Sequence, residues 1–347
     1  MSAAPRPIRT LLVGAGLMGA FHARTLASTI GVELHAVVDA DGDAATRVAR
    51  DVAAPDHGVD VESAIADEAI DAVVIASPAA THGALIEIAA AAGKAIFCEK
   101  PLGVTLDDAT RVARIVAAAG VPFQIGFQRR FDPGTARLLA LTAAGGLGTI
   151  ETFRSMTADP TGPTFEAMSR SAGIFHDTLS HDMDLALAIC GDIEEVATLG
   201  ASMTDARFAD IGKPDTTIIT LRFASGALGV IENRLRTGYG YETVLEVGGS
   251  GGKGVVRDDA LDSLTLFRDD RIERAHVPWF LERFAEAYRG ELSAFFAAVR
   301  AGRAPDPGIA QGLRVLAACE AAERSYREGH PCRPHRTEGG GSAGVAS

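Results

Sequence analysis

Two histidines and three aspartates lie within nine residues of this sequence, with apolar side chains between them. If the segment is helical, Asp177 and His181 stand four residues apart on one face, and Asp184 lies one turn further along it. His176 and Asp182 then point elsewhere, so the remaining acidic side chains can be solvated or can cap the helix. A carboxylate beside an imidazole can help to take a proton from a hydroxyl group, because imidazole titrates near neutral pH. The spacing therefore favours acid/base chemistry on a helix.

Two other interpretations of this segment stay open. A metal site needs three or four convergent ligands, and Asp177, His181 and Asp184 could supply three of them. His176 would not join them, because five helical residues place it about 140° around the axis from His181. The third interpretation is a helix whose polar groups serve only the structure. We expect no bound metal.

A second chemical signal lies near the start of the chain, in Gly14-Ala15-Gly16-Leu17-Met18-Gly19. In this G-x-G-x-x-G pattern the first glycine permits a tight turn, the second lets the backbone approach a pyrophosphate, and the third lets a helix pack on a strand. The N–H groups at the helix N-terminus would bind the phosphates. Asp39 follows Gly19 by 20 residues and would bond ribose hydroxyls while repelling a 2′-phosphate. No arginine follows Asp39 at once, so NAD is favoured over NADP.

The elements that would position the glycine loop follow an alternating pattern. Short apolar runs alternate with alanine-rich helical segments, which predicts an α/β fold with a doubly wound parallel sheet covered on both faces. The predicted strands are Ile8–Val13, Val32–Asp39, Ala72–Ser77, Ala95–Glu99 and Pro122–Phe127. The predicted helices are Met18–Ile30, Ala44–Val52, Gly83–Ala92 and Leu106–Ala119.

After residue 128 the pattern changes, because strand-like segments follow one another without intervening helices. This predicts an α+β domain with a large open, mainly antiparallel sheet. The predicted strands cover residues 194–203, 216–223, 227–235, 241–248, 254–257 and 263–268, and the predicted helices cover 133–144, 176–190, 281–301 and 307–327. The predicted domains are an NAD-binding Rossmann domain (1–128), a substrate and oligomerisation domain (129–333) and a disordered tail (334–347).

Size and composition limit the partners of the protein. The chain has 347 residues and a net charge of −12, which disfavours nucleic acid or an anionic membrane as the main partner. No apolar run reaches the roughly 18 residues of a membrane span, and no signal peptide is recognisable. The four cysteines are far apart in sequence, as expected of reduced thiols in a cytoplasmic protein.

Further motifs resemble those of one oxidoreductase family. Ala76–His82 (ASPAATH) closes the third predicted strand, and Cys98–Leu102 (CEKPL) closes the fourth. With the glycine loop and Ala172–Asp184, they resemble the glucose-fructose oxidoreductase / inositol dehydrogenase (Gfo/Idh/MocA) family over residues 8–330. Gly126–Asp132 and Gly173–Asp184 are similar to segments of inositol 2-dehydrogenases. The chain departs from the family pattern at Ala172, where a glycine is common, and at Gln128, where many members have asparagine or methionine.

The resemblance implies roles for individual residues. Lys100, Asp177 and His181 would be catalytic: His181 would accept the hydroxyl proton, Lys100 would stabilise the developing alkoxide, and Asp177 would orient either of them. Glu99 would hold Lys100 or the ribose, and the bond before Pro101 would be cis. The residues expected to contact the cofactor are Gly14, Gly16, Leu17, Met18, Gly19, Asp39, Ser77, Pro78, His82, Glu99, Lys100 and Gln128. Those expected to contact the substrate are Lys100, Arg129, Asp159, Asp177 and His181.

Some of the substrate contacts have alternatives. Of Arg129 and Arg130, one would reach the substrate while the other makes structural pairs, and we choose Arg129. Asp159 matches an aspartate that inositol dehydrogenases use on substrate hydroxyls, although an Asp-Pro turn alone would explain it. Tyr239 and Tyr241 are further candidates for lining a sugar pocket.

The function implied by the resemblance is NAD-dependent oxidation of a cyclic polyol, in inositol catabolism. We expect myo-inositol to give 2-keto-myo-inositol (scyllo-inosose). The alternatives are another inositol, a sugar or an amino-cyclitol precursor as substrate, a regulator that binds the dinucleotide without turnover, and a metal-dependent hydrolase. A homotetramer or homodimer is also expected, because one face of the second sheet, carrying residues such as Ile219, Leu221 and Phe223 or their alternates, would be too apolar for a monomer.

Overall fold

The computed structural model describes residues 6–257 and 259–336. Most of the predicted disordered tail, residues 337–347, lies outside the described residues. The described chain divides into two compact units: the first contains residues 6–128 and 288–313, and the second contains residues 129–287 and 314–336. The segment 288–313, which the sequence assigns to the second domain, therefore belongs to the first unit.

The first unit contains a six-stranded parallel sheet, which confirms the predicted doubly wound fold. Its strands are β1 (Ile8–Val13), β2 (Val32–Val38), β3 (Asp56–Gly58), β4 (Ala72–Ile75), β5 (Ala95–Glu99) and β6 (Phe123–Gly126), in the spatial order β3-β2-β1-β4-β5-β6. The helices between them are α1 (Leu17–Ser28), α2 (Gly42–Asp51), α3 (Val61–Ala66), α4 (Ala79–Ala91) and α5 (Leu106–Ala119). β3 and α3 are absent from the sequence-based prediction, since β3 has three residues and no apolar side chain.

The second unit contains a six-stranded mixed sheet in the order β12-β11-β7-β10-β9-β8. Only β7 and β10 run parallel, and every other neighbouring pair in this sheet is antiparallel. From residue 133 the chain forms α6 (Pro133–Ala143), β7 (Ile150–Ala158), α7 (Phe165–Arg170), α8 (Ile174–Asp177), α9 (Leu179–Cys190), β8 (Ile193–Ala201), α10 (Arg207–Asp210), β9 (Thr216–Phe223), β10 (Leu228–Arg234), β11 (Glu242–Gly249), β12 (Gly252–Arg257), β13 (Ala260–Arg268), β14 (Arg271–His276), α11 (Phe280–Arg283), α12 (Ala285–Arg300) and α13 (Ile309–Glu328). β13 and β14 pair with each other as a separate hairpin.

The apolar stripe of α12 explains why residues 288–313 belong to the first unit. Leu292, Phe295 and Phe296 are buried in the core that also contains Leu12 of β1 and Phe97 of β5. The rings of Phe97 and Phe295 meet edge to face at 5.9 Å. Large aromatic side chains contribute strongly to core stability, so this contact anchors the returning helix on the parallel sheet.

The second sheet has a buried face and an open face, and β9 shows which of the two sets of residues lies on the open one. Ile219, Leu221 and Phe223 point inward and are buried, together with Thr217, so they do not form an open apolar face. The alternate positions of β9 are mostly polar and exposed. The same open face carries ion pairs such as Arg154–Glu246, Lys253–Glu246 and Arg222–Glu195. The open face therefore carries the alternate residues rather than Ile219, Leu221 and Phe223, and its exposed apolar side chains include Leu199, Ile218, Leu228 and Val255.

A helix must be long and apolar to cross a lipid bilayer. Between residues 6 and 336, leaving out residue 258, no helix is both long and apolar enough to cross a membrane.

Candidate active site

The turn between β1 and α1 requires glycine at two positions and is open at a third. Gly14 has a φ of +104°, and a Cβ there would lie 2.6 Å from the carbonyl oxygen of Ala76. At Gly19 a Cβ would overlap the carbonyl of Gly14. At Gly16 a Cβ would meet no atom within 4 Å, and α1 begins directly afterwards without a side-chain cap. A pyrophosphate can therefore approach the N–H groups of the first turn.

Asp39 connects the glycine loop to the residues that follow β2. Its Oδ2 accepts a hydrogen bond from the Ala15 N–H at 2.6 Å, and its Oδ1 accepts one from the Asp41 N–H at 2.8 Å. An ionised carboxylate has about four acceptor positions, so it can also bond ribose hydroxyls. The residues present in this loop and at the end of β2 therefore fit an NAD molecule.

Lys100 follows the last residue of β5, and its peptide bond with Pro101 is cis, as the resemblance implies. The Lys100 N–H donates to Glu99 Oε2 at 3.3 Å, while Glu99 Oε1 lies 2.7 Å from Nε2 of His22 on α1. Glu99 is buried between these partners. The hydrogen bond to the Lys100 N–H agrees with the predicted role in which Glu99 holds Lys100, and the role towards a ribose stays a prediction.

His82 connects two loops at the same edge of the parallel sheet. Its Nδ1 lies 2.8 Å from the Pro101 carbonyl oxygen, and its Nε2 lies 2.9 Å from the Ser77 carbonyl oxygen. The ring is buried, and both nitrogens already face protein acceptors. His82 therefore positions the loops after β4 and β5, and the predicted contact between its ring nitrogens and a cofactor is not supported.

The remaining predicted cofactor contacts differ in exposure. Leu17 is 56% exposed, and Pro78 is also exposed. Met18 and Ser77 are half-buried, with Ser77 Oγ 2.7 Å from Thr81 Oγ1. Gln128 is buried at the start of a 3-10 turn. Leu17, Met18, Ser77 and Pro78 are thus accessible to a ligand, whereas Gln128 is not exposed in the described chain.

Asp177 and His181 do not share one continuous helix. α8 ends at Asp177, α9 begins at Leu179, and Thr178 lies between them with φ −102° and ψ −55°. The His181 N–H donates to the Thr178 carbonyl at 3.4 Å, so the regular hydrogen-bond ladder is interrupted. The helix predicted over 176–190 is therefore present in two parts, which are separated at Thr178. Because nearly every residue of α9 is buried, its first turn is set by packing rather than by continuation of α8.

Asp182 is the most deeply buried acid of this segment, contrary to the prediction that it is solvated or caps the helix. Its carboxylate accepts hydrogen bonds from side chains of β7 and β10 and from Arg129, which satisfies both oxygens. The donors are Arg129 Nη1 at 3.1 Å, Ser155 Oγ at 2.5 Å, Thr157 Oγ1 at 3.1 Å and Asn233 Nδ2 at 2.9 Å. Asp182 therefore joins α9 to the two central strands of the second sheet.

The two arginines of the Gly126–Asp132 motif both neutralise buried acids. Arg129 is 5% exposed, and besides Asp182 it donates to Thr157 Oγ1 at 2.8 Å and to the Tyr241 hydroxyl at 3.0 Å. Arg130 makes a two-pronged pair with Asp184, at 2.8 and 2.7 Å. The predicted substrate contact of Arg129 is not supported, because its guanidinium lies inside this buried network.

Asp159 and Tyr241 lie close together beyond the carboxyl end of β7. The pKa of Tyr241 is raised to about 12, mainly by burial. The negative charges of Asp159 and Asp182 also raise this pKa, whereas Arg129 lowers it. Tyr241 is therefore a neutral phenol at physiological pH. It is buried, whereas Tyr239 is exposed and donates to Glu242. The half-buried Asp159 is the more accessible polar group of this pair.

The side chain of His176 forms a contact with helix α13. Its Nε2 lies 3.1 Å from Glu323 Oε2 on α13, and this hydrogen bond, the largest of several effects, lowers the pKa of Glu323. Within residues 6–257 and 259–336, the groups of three or more His, Cys, Asp or Glu side chains close enough to share a cation do not include Asp177, His181 or Asp184. Those groups are His22, Glu99 and Glu291, and Glu328, His330 and Cys332.

Family models match this chain in both of its units. Residues 8–127 match the oxidoreductase family with an NAD-binding Rossmann fold, and residues 135–255 match the GFO/IDH/MocA C-terminal domain. The chain is 35% identical to inositol 2-dehydrogenase of Rhizobium meliloti (strain 1021), over 92% of this chain and 97% of that protein. It is 33% identical to myo-inositol 2-dehydrogenase of Thermotoga maritima, with the same two coverages of 92% and 97%.

Solved structures show the same fold over the whole described chain. The crystal structure of myo-inositol dehydrogenase from Lactobacillus casei in complex with NAD(H) and myo-inositol superposes with a TM-score of 0.86 at 26% identity. It covers 98% of this chain and 99% of its own. The chain therefore belongs to the GFO/IDH/MocA family of oxidoreductases, with a Rossmann fold that binds NAD as its cofactor.

Proposed function

We propose that this oxidoreductase oxidises a ring CH–OH group of a cyclic polyol with NAD⁺, and that it converts myo-inositol to 2-keto-myo-inositol (scyllo-inosose). Relatives named for inositols support this substrate class. One observation in the first unit carries the proposal. β1, β4 and β5 are neighbours in a parallel sheet, so the glycine loop after β1 and Lys100 after β5 lie at the same carboxyl edge, where such folds bind ligands.

Asp39 and the glycine loop would hold the cofactor. The open approach to Gly16 and the first turn of α1 suit the pyrophosphate, and the Asp39 carboxylate suits the unsubstituted ribose of NAD. A 2′-phosphate would meet the charge of Asp39, so we propose NAD rather than NADP. When bound, the nicotinamide ring supplies the hydride acceptor.

His181 is the proposed proton acceptor. Oxidation of a secondary alcohol removes the hydroxyl proton while hydride leaves the carbon, and a positioned imidazole accepts that proton at neutral pH. His181 is 8% exposed, which restricts its ring to few orientations. Asp177, one turn earlier and half-buried, would stabilise the imidazolium that forms.

Lys100 is the proposed stabiliser of the developing alkoxide. An ammonium group close to that oxygen lowers the energy of the transition state more than that of the neutral alcohol. Its backbone is fixed by Glu99, so the side chain starts from a defined position. A fixed backbone leaves the lysine side chain fewer conformations to lose when it reaches the reactive position.

Asp159 is the proposed contact to other ring hydroxyls. Each buried hydroxyl left without a partner costs about 1–3 kcal/mol, so a polyol site needs acceptors beyond the catalytic residues. A carboxylate accepts from two adjacent hydroxyls, and Asp159 lies at the end of β7 with part of its surface exposed. Arg129 is not assigned this role, because its donors serve Asp182, Thr157 and Tyr241.

The test is a substrate panel with the purified chain. myo-, scyllo- and chiro-inositol and glucose are each supplied with NAD⁺ and with NADP⁺, and the absorbance of the reduced cofactor is followed. We expect the highest kcat/KM for myo-inositol with NAD⁺. Tight NAD binding without turnover of any substrate would favour a regulator instead, and loss of activity to a chelator would favour a metal-dependent enzyme.

A further inference from the structure

Three titratable side chains are buried together in the first unit, next to the residue proposed to stabilise the alkoxide. His22 on α1 and Glu291 on α12 are fully buried, and Glu99 on β5 is 9% exposed. One nitrogen or carboxylate oxygen from each of the three lies within 4.8 Å of the others. His22 Nε2 and Glu99 Oε1 are in direct contact at 2.7 Å. The cluster ends at Lys100, whose N–H donates to the other oxygen of Glu99.

Glu291 differs from Glu99 in having no partner for its charge. Neither of its carboxyl oxygens has a hydrogen bond within the part of the chain that the structure describes. An ionised carboxylate in such surroundings is very unfavourable, and a second carboxylate close by makes it more so. Accordingly, burial, and after it the charge of Glu99, raise the pKa of Glu291 well above its ordinary value.

In the part of the chain that the structure describes, the groups next to Glu291 do not include an ion-pair partner for its carboxylate. α1 contributes His22, whose Nε2 is already bound to Glu99, and β5 contributes Glu99 itself. β6 contributes Gln124, which does not titrate and donates to the backbone carbonyl of Glu291. On α12, Tyr288 lies one turn earlier and packs against the His22 ring at 5.8 Å. A neutral carboxylic acid fits these surroundings, whereas a carboxylate does not.

We propose that Glu291 is a positioning residue that keeps a proton in the folded protein, so that Glu99 is the one carboxylate of the cluster. Ionised Glu99 then accepts from His22 at Oε1 and from the Lys100 backbone at Oε2, and hydrogen bonds to a charged acceptor are the stronger kind. Loss of the Glu291 proton would place two negative charges together and push Glu99 away from Lys100. The inference rests on the proposed function only through the role of Lys100.

The charge state is tested on the full chain without substrate. Infrared spectroscopy at neutral pH is expected to show the C=O stretch of a protonated carboxylic acid in the wild type, and Glu291→Gln should abolish that band. Glu286→Gln removes an exposed glutamate from the same helix and should leave the band unchanged. A wild-type spectrum without a band sensitive to Glu291→Gln would overturn the proposal, whether or not any polyol is oxidised.

The positioning role is tested by kcat as a function of pH. Glu291→Gln has the shape of the protonated acid but no proton to lose, so it should retain kcat at neutral pH and keep it at alkaline pH, where the wild type declines. Glu291→Ala and Glu99→Gln should both lower kcat, because each loosens the support of Lys100. Identical alkaline declines in the wild type and Glu291→Gln would overturn the role. A purely structural role would change stability without changing the pH profile.

Discussion

The two histidines of one short segment, His176 and His181, differ in their surroundings and in their proposed roles. His176 is tied to Glu323, so its ring already has a structural task. His181 lies at the first turn of α9, beyond the break at Thr178, and is the proposed proton acceptor. The sequence predicts that the two side chains leave the helix on different faces, and the contact of His176 with α13 is compatible with that. It does not predict the break, because packing of α9 rather than local spacing sets it.

Replacing His181 should affect chemistry and not cofactor binding. His181→Ala should reduce kcat by about 10²–10⁴, the usual contribution of a positioned general base. NAD affinity should change little, because the glycine loop and Asp39 are untouched. Steady-state kinetics and NAD titration measure the two effects, with His176→Ala as the matched control. If His176→Ala lowers kcat as much as His181→Ala while the fold holds, the wrong histidine is assigned.

Asp39 should determine the choice between the two nicotinamide cofactors. Asp39→Ser removes the charge that opposes a 2′-phosphate, so kcat/KM with NADP⁺ should rise relative to that with NAD⁺. It also removes the acceptor of the Ala15 N–H, so some loss with NAD⁺ is expected. The measurement is kcat/KM with each cofactor for both proteins. A wild type that already prefers NADP⁺ would contradict this assignment.

Glu291 should make the stability of the protein decrease with rising pH. Because its folded pKa lies above its unfolded value, the folded chain binds one more proton between the two values. Stability is then highest below the unfolded pKa and falls, by about 1.4 kcal/mol per pH unit, up to the folded pKa. The advantage in melting temperature of Glu291→Gln over the wild type should therefore grow from pH 5 to pH 8. A constant difference would argue against it.

At the scale of elements, β7 is the main strand that the sequence does not reveal. It lies between β10 and β11 at the centre of the second sheet. Ser155 and Thr157 point inward from β7. In the sequence these polar residues are typical of the solvent-facing side of a strand, but in the structure their hydroxyls donate to Asp182 of α9. Periodicity within one segment cannot anticipate a partner from another. By contrast, the predicted bounds of β1 and β5 match the structure, because apolar runs buried on both faces need no such partner.

Asp182 should be a strong stability determinant of the second unit. Asp182→Ala leaves the Arg129 guanidinium buried without its carboxylate, and breaking a buried pair by removing one partner costs about 3–5 kcal/mol. Urea unfolding measures the free energy, and Asp205→Ala, which breaks an exposed pair with Arg207, is the control and should change little. Equal effects of the two substitutions would contradict the network described for Asp182.

At the scale of the whole molecule, the exposed apolar side chains include two groups in the second unit. The open face of the second sheet carries Leu199, Ile218, Leu228 and Val255 beside its ion pairs, and the β13–β14 hairpin exposes Leu261, Leu264, Phe267 and Ile272. A two-stranded sheet with exposed apolar side chains is marginally stable in water on its own. The expected homotetramer or homodimer would therefore bury this hairpin as well as apolar residues of the open sheet face.

The assembly prediction is tested by light scattering. Phe267 is 76% exposed, and Phe267→Glu should shift the mass of the wild-type oligomer towards that of a monomer. Ile30→Ser replaces a single apolar residue that is 94% exposed in the first unit, and it should leave the mass unchanged. A wild-type monomer at micromolar concentration would contradict the expected oligomer.

The late return of α12 to the first unit has a consequence for how the chain is made. The parallel sheet is complete once Gly126 has been synthesised, yet the side chains of Leu292, Phe295 and Phe296 that complete its core come more than 160 residues later. At roughly 5–20 residues per second, a ribosome needs on the order of ten seconds or more to supply them. During that interval the nascent sheet exposes the surface that α12 later covers. An N-terminal fragment ending at residue 128 should therefore bind chaperones and aggregate, although it contains every strand of the NAD-binding sheet.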